Sequence, residues 1–206
     1  MKFNRYLALK LTGLLVVIFI LQLIFPVITE LFRLESADVL VRPWILLTSV
    51  FLHGSFGHLL LNGFALALFG SILENIIGSR KFLYVFLISG LFASILASFF
   101  YNAALGASGA IFGVLGMLTV LRPTMTVWVS YLPMPMWVAA IVWAAQDVLG
   151  VFIPDNVANF AHLGGLGVGL VIGFFYKEKK FKVPKRKDIM LSKEEIEDFE
   201  RRSFGV

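Results

Sequence analysis

"GASGAIFG", residues 106–113, sets a hydroxyl, Ser108, among three glycines at the head of a strongly apolar run. Its surroundings decide how it is read. Hydrophobic residues make up 59% of the 206 and charged residues 15%, against about 45–50% and about 25% in an ordinary globular domain. Phe occurs 21 times, and mean hydropathy is +0.87. Most of the chain therefore belongs in a bilayer, and the run that opens at Ser108 reads as a membrane helix.

Working outward, a spanning helix needs about 20 mostly apolar residues. Six segments qualify, some of them short: 11–29, 58–77, 82–101, 107–121, 136–153 and 158–176. The first run is too long for the core of a signal peptide and lacks a small-residue cleavage site, so it reads as a retained span. All but two of the 18 Lys and Arg lie in the N-terminal tail, at Arg80 and Lys81, at Arg122, or in the C-terminal tail. Only Arg33 and Arg42 fall on the other side. The positive-inside rule then puts both termini in the cytoplasm, which demands an even number of spans. The expected fold is an all-α, polytopic six-helix membrane bundle. It has a tail over 1–10, a core over 11–176 and a basic tail over 177–206. A bacterial cell membrane is the expected location.

Two connections carry information. Residues 30–57 form a long outer loop, with Trp44, Phe51 and Phe56 apolar enough to associate with the membrane. Residues 123–135 are apolar too, and Trp128, Tyr131 and Trp137 suit an interfacial position. The net charge of +5 is concentrated in "KEKKFKVPKRKD", residues 177–188, whose expected partner is lipid headgroups rather than nucleic acid. Ser192 and Glu195 have the spacing of a capping box, which predicts a short soluble helix. The absence of Cys excludes disulfides, thiolate metal sites and cysteine nucleophiles.

Polar groups at membrane depth are costly, so each needs a reason. Ser108 stands 14 residues before Arg122, about 21 Å of helix at about 1.5 Å per residue. His162 stands 15 residues before Lys177 and Asn62 stands 16 before Gly78, giving about 22 and about 24 Å. Three helices thus deliver polar groups to nearly one depth, in the outer half of the bilayer. His58 shares a face with Asn62, one turn nearer the surface. Gly109 and Gly113 repeat at four-residue spacing, as do Ala161, Gly165 and Gly169; such faces let membrane helices approach closely. If they meet, Ser108 comes within hydrogen-bond reach of His162.

A Ser paired with a His is an activated nucleophile. Gly106 and Gly109 keep bulk away from it. A helix that starts near Ser108 leaves its first backbone N–H groups free, and those donors, with His58 and Asn62, can stabilise an oxyanion. The constellation reads as an acyl-transfer site, and in a membrane the natural acyl substrate is a peptide bond of another transmembrane segment. Zinc chemistry fits poorly: His53 and His58 are five apart, about 140° around a helix, and no acid follows the first. An aspartyl pair fits no better, since Asp147 and Asp155 lie at and beyond the outer end of the fifth span. No Asp or Glu is visibly placed to orient His162, so a Ser–His dyad is expected rather than a triad. A non-proteolytic module that holds membrane proteins in the same cleft is the alternative. His53 and Glu74 read as structural, Glu74 as a partner for a loop amide or Arg80.

"HGSFGHLLLN" (53–62), "GASG" (106–109) and "AHLGGLGVG" (161–169), in this order on the second, fourth and sixth spans, resemble the rhomboid family of intramembrane serine proteases. The resemblance covers residues 10–176. It implies Ser108 as nucleophile, His162 as general base, and His58, Asn62 and the Ser108 amide as oxyanion donors. It implies cleavage of transmembrane substrates near their outer end, without cofactor or metal. Glu74 and Gly78 in "LENIIGS" resemble structural positions of the family. Many members carry Trp-Arg in the first loop; here Ile45 follows Trp44, and Arg42 lies two residues before it.

Overall fold

The computed structural model describes residues 6–153 and 157–180. The segment beginning at Ser192 and most of the basic tail lie outside the described residues. Four helices are long and apolar enough to cross a membrane: α1 (Leu7–Ile24), α4 (Phe56–Ile77), α5 (Ser79–Phe100) and α8 (Asn159–Lys180), the last through Lys177. Two apolar helices are shorter, α6 (Ser108–Leu121) and α7 (Met136–Phe152). Between α1 and α4 the outer loop is not irregular: it holds α2 (Val27–Phe32) and α3 (Ile45–Thr48). The first helix begins and ends earlier than the apolar run predicts; it ends where Pro26 follows its last turn and cannot continue the ladder.

Each long helix buries one stripe and gives the rest to its surroundings. On α1 the buried residues are Ala8, Leu11, Leu15, Phe19 and Gln22, the three- and four-residue spacing of a single helix face. Leu9, Val17, Leu23, Leu61, Phe64, Phe92, Phe99 and Phe174 stay exposed. In water such surface would aggregate; in lipid it is the solvent-facing side of an integral membrane protein. The short helix α6 is the exception, buried at nearly every position from Gly109 to Leu118. It is the axis of the molecule. It packs most extensively on α8, and both rest on α5.

The contact between α6 and α8 is backbone against backbone. A Cβ added at Gly165 would lie 1.9 Å from the Gly109 carbonyl oxygen, and one at Gly169 would lie 1.9 Å from that of Gly113. The four-residue repeats thus do what their spacing predicts. On the opposite side of α6, a Cβ at Gly109 would lie 2.4 Å from Ala93, and one at Gly113 would strike Ser89 on α5.

The protein is mostly helical, as expected, and carries two small antiparallel sheets beside its helices. β1 (Leu34–Glu35) pairs with β2 (Ala103–Ala104), tying the outer loop to the segment ahead of α6. β3 (Thr126–Val129) and β4 (Leu132–Pro135) form a hairpin before α7. Val127 and Val129 face the core, while Trp128 and Tyr131 point outward. Ser130 and Tyr131 both have positive φ, 48° and 68°, as a two-residue hairpin turn demands. Pro133 and Pro135 sit where a two-stranded ribbon leaves free edges, which is where Pro is tolerated.

Candidate active site

Ser108 is the first residue of α6, and His162 lies in the first turn of α8. Because the glycine faces bring the two backbones together, Ser108 Oγ and His162 Nε2 stand 2.7 Å apart. Phe112, one turn after Ser108, stacks on the imidazole at 4.4 Å between ring centroids and 8° between planes. Both Ser108 and His162 are half-buried rather than sealed.

The other ring nitrogen departs from expectation. His162 Nδ1 lies 2.9 Å from Asp147 Oδ1. Asp147 sits on α7, and the antiparallel run of α7 and α8 brings its carboxylate back to the imidazole. Sequence spacing gave no warning, since nothing in it says which face of α7 meets α8. Phe112 was equally unflagged, although its four-residue distance from Ser108 puts both on one face.

The donors around Ser108 follow from how α6 begins. The first bond of its ladder runs from Ile111 N–H to the Ala107 carbonyl, so the N–H groups of Ser108, Gly109 and Ala110 precede it. Gly106 has φ +129°, a value side chains avoid, and its N–H donates to the Ser49 carbonyl at 2.9 Å. A Cβ there would lie 2.6 Å from the His58 ring, so glycine is required twice over. His58 is itself positioned by Ser55, whose hydroxyl caps α4 by accepting from the His58 N–H at 3.2 Å. The buried Asn62 amide donates to the His58 carbonyl at 3.0 Å, which leaves its second N–H for another acceptor. A small cavity of about 30 Å³ behind Ser108, lined by Ser49, Ser94 and Gly106 among others, is roughly the size of one water.

The Rhomboid domain model matches residues 41–179. The chain belongs to the rhomboid family. Among curated relatives, RHOMBOID-like protein 4 of Arabidopsis thaliana is 36% identical over 133 residues, which is 64% of this chain and 33% of that protein. RHOMBOID-like protein 1 of the same plant is 36% identical over 135 residues, 65% of this chain and 34% of the relative. Rhomboid protease GluP of Bacillus subtilis is 36% identical over 145 residues, 69% of this chain and 27% of the relative. The chain thus spans about a third of the length of these proteins or less.

His53 is 2% exposed, and Gln22 of α1 grips its backbone, accepting from the N–H at 3.0 Å and donating to the carbonyl at 3.2 Å. Its ring meets that of His58 edge-on at 5.0 Å. Burial, and then the neighbouring His58, lower the His53 pKa to about 4. Glu74 partners amides rather than Arg80. It accepts from the N–H groups of Leu7 and Ala8 at 2.9 Å each and from the Ser79 hydroxyl at 2.5 Å, so a carboxylate of α4 caps the N-terminus of α1. Gly78 breaks α4 from α5 with φ +85°. Trp44 is half exposed and leads into α3, where Ile45 is fully buried. Within the outer loop itself, Arg42 pairs with Asp38 and donates to the Glu30 carbonyl at 3.3 Å.

Proposed function

We infer that this rhomboid is an intramembrane serine endopeptidase that cuts transmembrane segments of other proteins near their outer end. The 2.7 Å approach of Ser108 Oγ to His162 Nε2 across two interlocked helices is the observation that carries this reading. His162 takes the hydroxyl proton as Oγ bonds to the scissile carbonyl carbon. The oxyanion is met by the free N–H groups at the head of α6, together with His58 and Asn62. When the C–N bond breaks, the proton passes from Nε2 to the leaving amine. Water then enters and gives a proton to His162 as its oxygen bonds to the acyl carbon, and His162 returns that proton to Ser108 Oγ as the ester C–O bond breaks.

Depth supports the substrate class. α6 has 14 residues, about 21 Å of helix, against about 30 Å of hydrocarbon. A helix that reaches the inner surface therefore starts about 9 Å short of the outer one, with Ser108 at its submerged end. On this reading six helices cross the membrane and both termini are cytoplasmic. α7, exposed along most of its outer half, is the element that yields to a substrate arriving from lipid.

The test is cleavage of a tagged transmembrane reporter, together with Ser108-directed labelling by a fluorophosphonate. Ser108→Ala and His162→Ala are expected to abolish both, with unchanged folding in detergent. Retained cleavage in either variant rejects the reading. Capture of the reporter without cleavage by the unaltered protein points instead to the holding module.

A further inference from the structure

The geometry points to Asp147 as a positioning residue for His162, so that the site works as a Ser–His–Asp relay assembled from three separate helices; this rests on the hydrolase reading above. Four residues of α7 are buried: Met136, Ala139 and Ala140 in its first turns, and Asp147. Around Asp147 the outer half of the helix, the exposed Gln146 aside, is apolar and largely open, with Val148, Leu149 and Phe152 exposed by 48%, 62% and 81%. An acid on such a surface is expensive unless it is paired. Asp147 is 6% exposed, and the polar group it meets is His162 Nδ1 at 2.9 Å. Its Oδ2 is buried with no partner among the described residues.

The chemistry follows from the donor inventory. A carboxylate only accepts, so the hydrogen of the neutral imidazole resides on Nδ1. That leaves the Nε2 lone pair facing Ser108 Oγ, which is the tautomer a general base requires. When Nε2 takes the hydroxyl proton, the imidazolium keeps its Nδ1–H on Asp147, and the carboxylate stabilises the new charge without accepting a proton. The stacked Phe112 fixes the plane of the ring; Asp147 fixes which nitrogen is basic. A purely structural tie between α7 and α8 would need the contact but not the tautomer.

Two measurements decide it. The first is ¹⁵N spectroscopy of the full-length protein in micelles, with the His162 signals assigned by their loss in His162→Gln. The expected result is a hydrogen on Nδ1 with the far-downfield proton of a carboxylate-bonded imidazole, replaced by substantial Nε2–H in Asp147→Asn. A wild-type His162 that carries its hydrogen on Nε2 overturns the proposal without any variant at Asp147. The second is the saturation kinetics of fluorophosphonate labelling. Asp147→Asn is expected to slow the maximal labelling rate by about 10²-fold or more, with the half-saturating probe concentration held within about threefold. Wild-type labelling with an equal rate in a folded Asp147→Asn removes Asp147 from the mechanism and leaves the hydrolase standing. Absence of Ser108-dependent labelling in the wild type brings down both.

Discussion

His53 shows how much one buried ring can contribute to the behaviour of the site's surroundings. Its ring is buried, and its pKa is lowered from 6.5 to about 4 by that burial and then by the neighbouring His58. The unfolded chain therefore binds a proton between these values that the folded one refuses. The stabilisation is complete above pH 6.5 and is lost as pH falls through that window toward about 4. Thermal unfolding in detergent should reveal a melting temperature that drops on acidification over this range, and His53→Phe should flatten the drop. Single residues also mark where sequence reading succeeds and where it stops. Ser108 and His162 each adjoin a small-residue repeat, at Gly109 and Ala161, and a repeat fixes which faces of two helices meet. Asp147 and Gln22 stand on no such pattern. Each is polar in an apolar helix, which signals a partner, but the partner's identity depends on how distant segments are packed.

Among the elements, the seam between α6 and α8 is the least tolerant. Gly165 and Gly169 each face a carbonyl that a methyl group would overlap at 1.9 Å, and backbone does not step aside as a side chain can. Gly169→Ala should destabilise the folded protein by about 1–3 kcal/mol or more through overpacking, read as a fall in unfolding temperature. By prising Ser108 from His162, it should also suppress fluorophosphonate labelling. Gly167→Ala, where nothing lies within 4 Å, should do neither. The hairpin of β3 and β4 marks the limit of reading at this scale. Its turn residues, Ser130 and Tyr131, lack the Asn-Gly or Gly-first signature that announces such turns, and its two prolines argue against a strand. Apolar alternation at Val127 and Val129 was the available signal, and it spans too few residues to outweigh them. The short helices of the outer loop fall below the length at which periodicity registers.

For the whole molecule, charge asymmetry together with six crossings leads to the proposal that the termini share a side. Fusion of a fluorescent reporter that matures only in the cytoplasm should give signal at either terminus. Fusion of a reporter active only outside should give none. A positive outside reporter at the C-terminus would mean an odd number of crossings. The arrangement of long and short helices was legible in outline because lipid imposes a strong length rule. What escaped it is the way the first outer loop is stitched to the core, through β1 with β2 and Ser49 with Gly106. Those ties join residues tens of positions apart by backbone groups, which leave no trace in side-chain pattern.

Membranes differ in thickness, and a protein embedded in them is squeezed or tilted to match. Carbonyl oxygens wedged against glycine α-carbons leave α6 and α8 no clearance for sliding past one another. A mismatched bilayer must therefore lean this pair as one piece and spend its distortion on the looser helices outside it. The spacing of hydroxyl and imidazole is thereby insulated from lipid composition, while the entrance beside them is not.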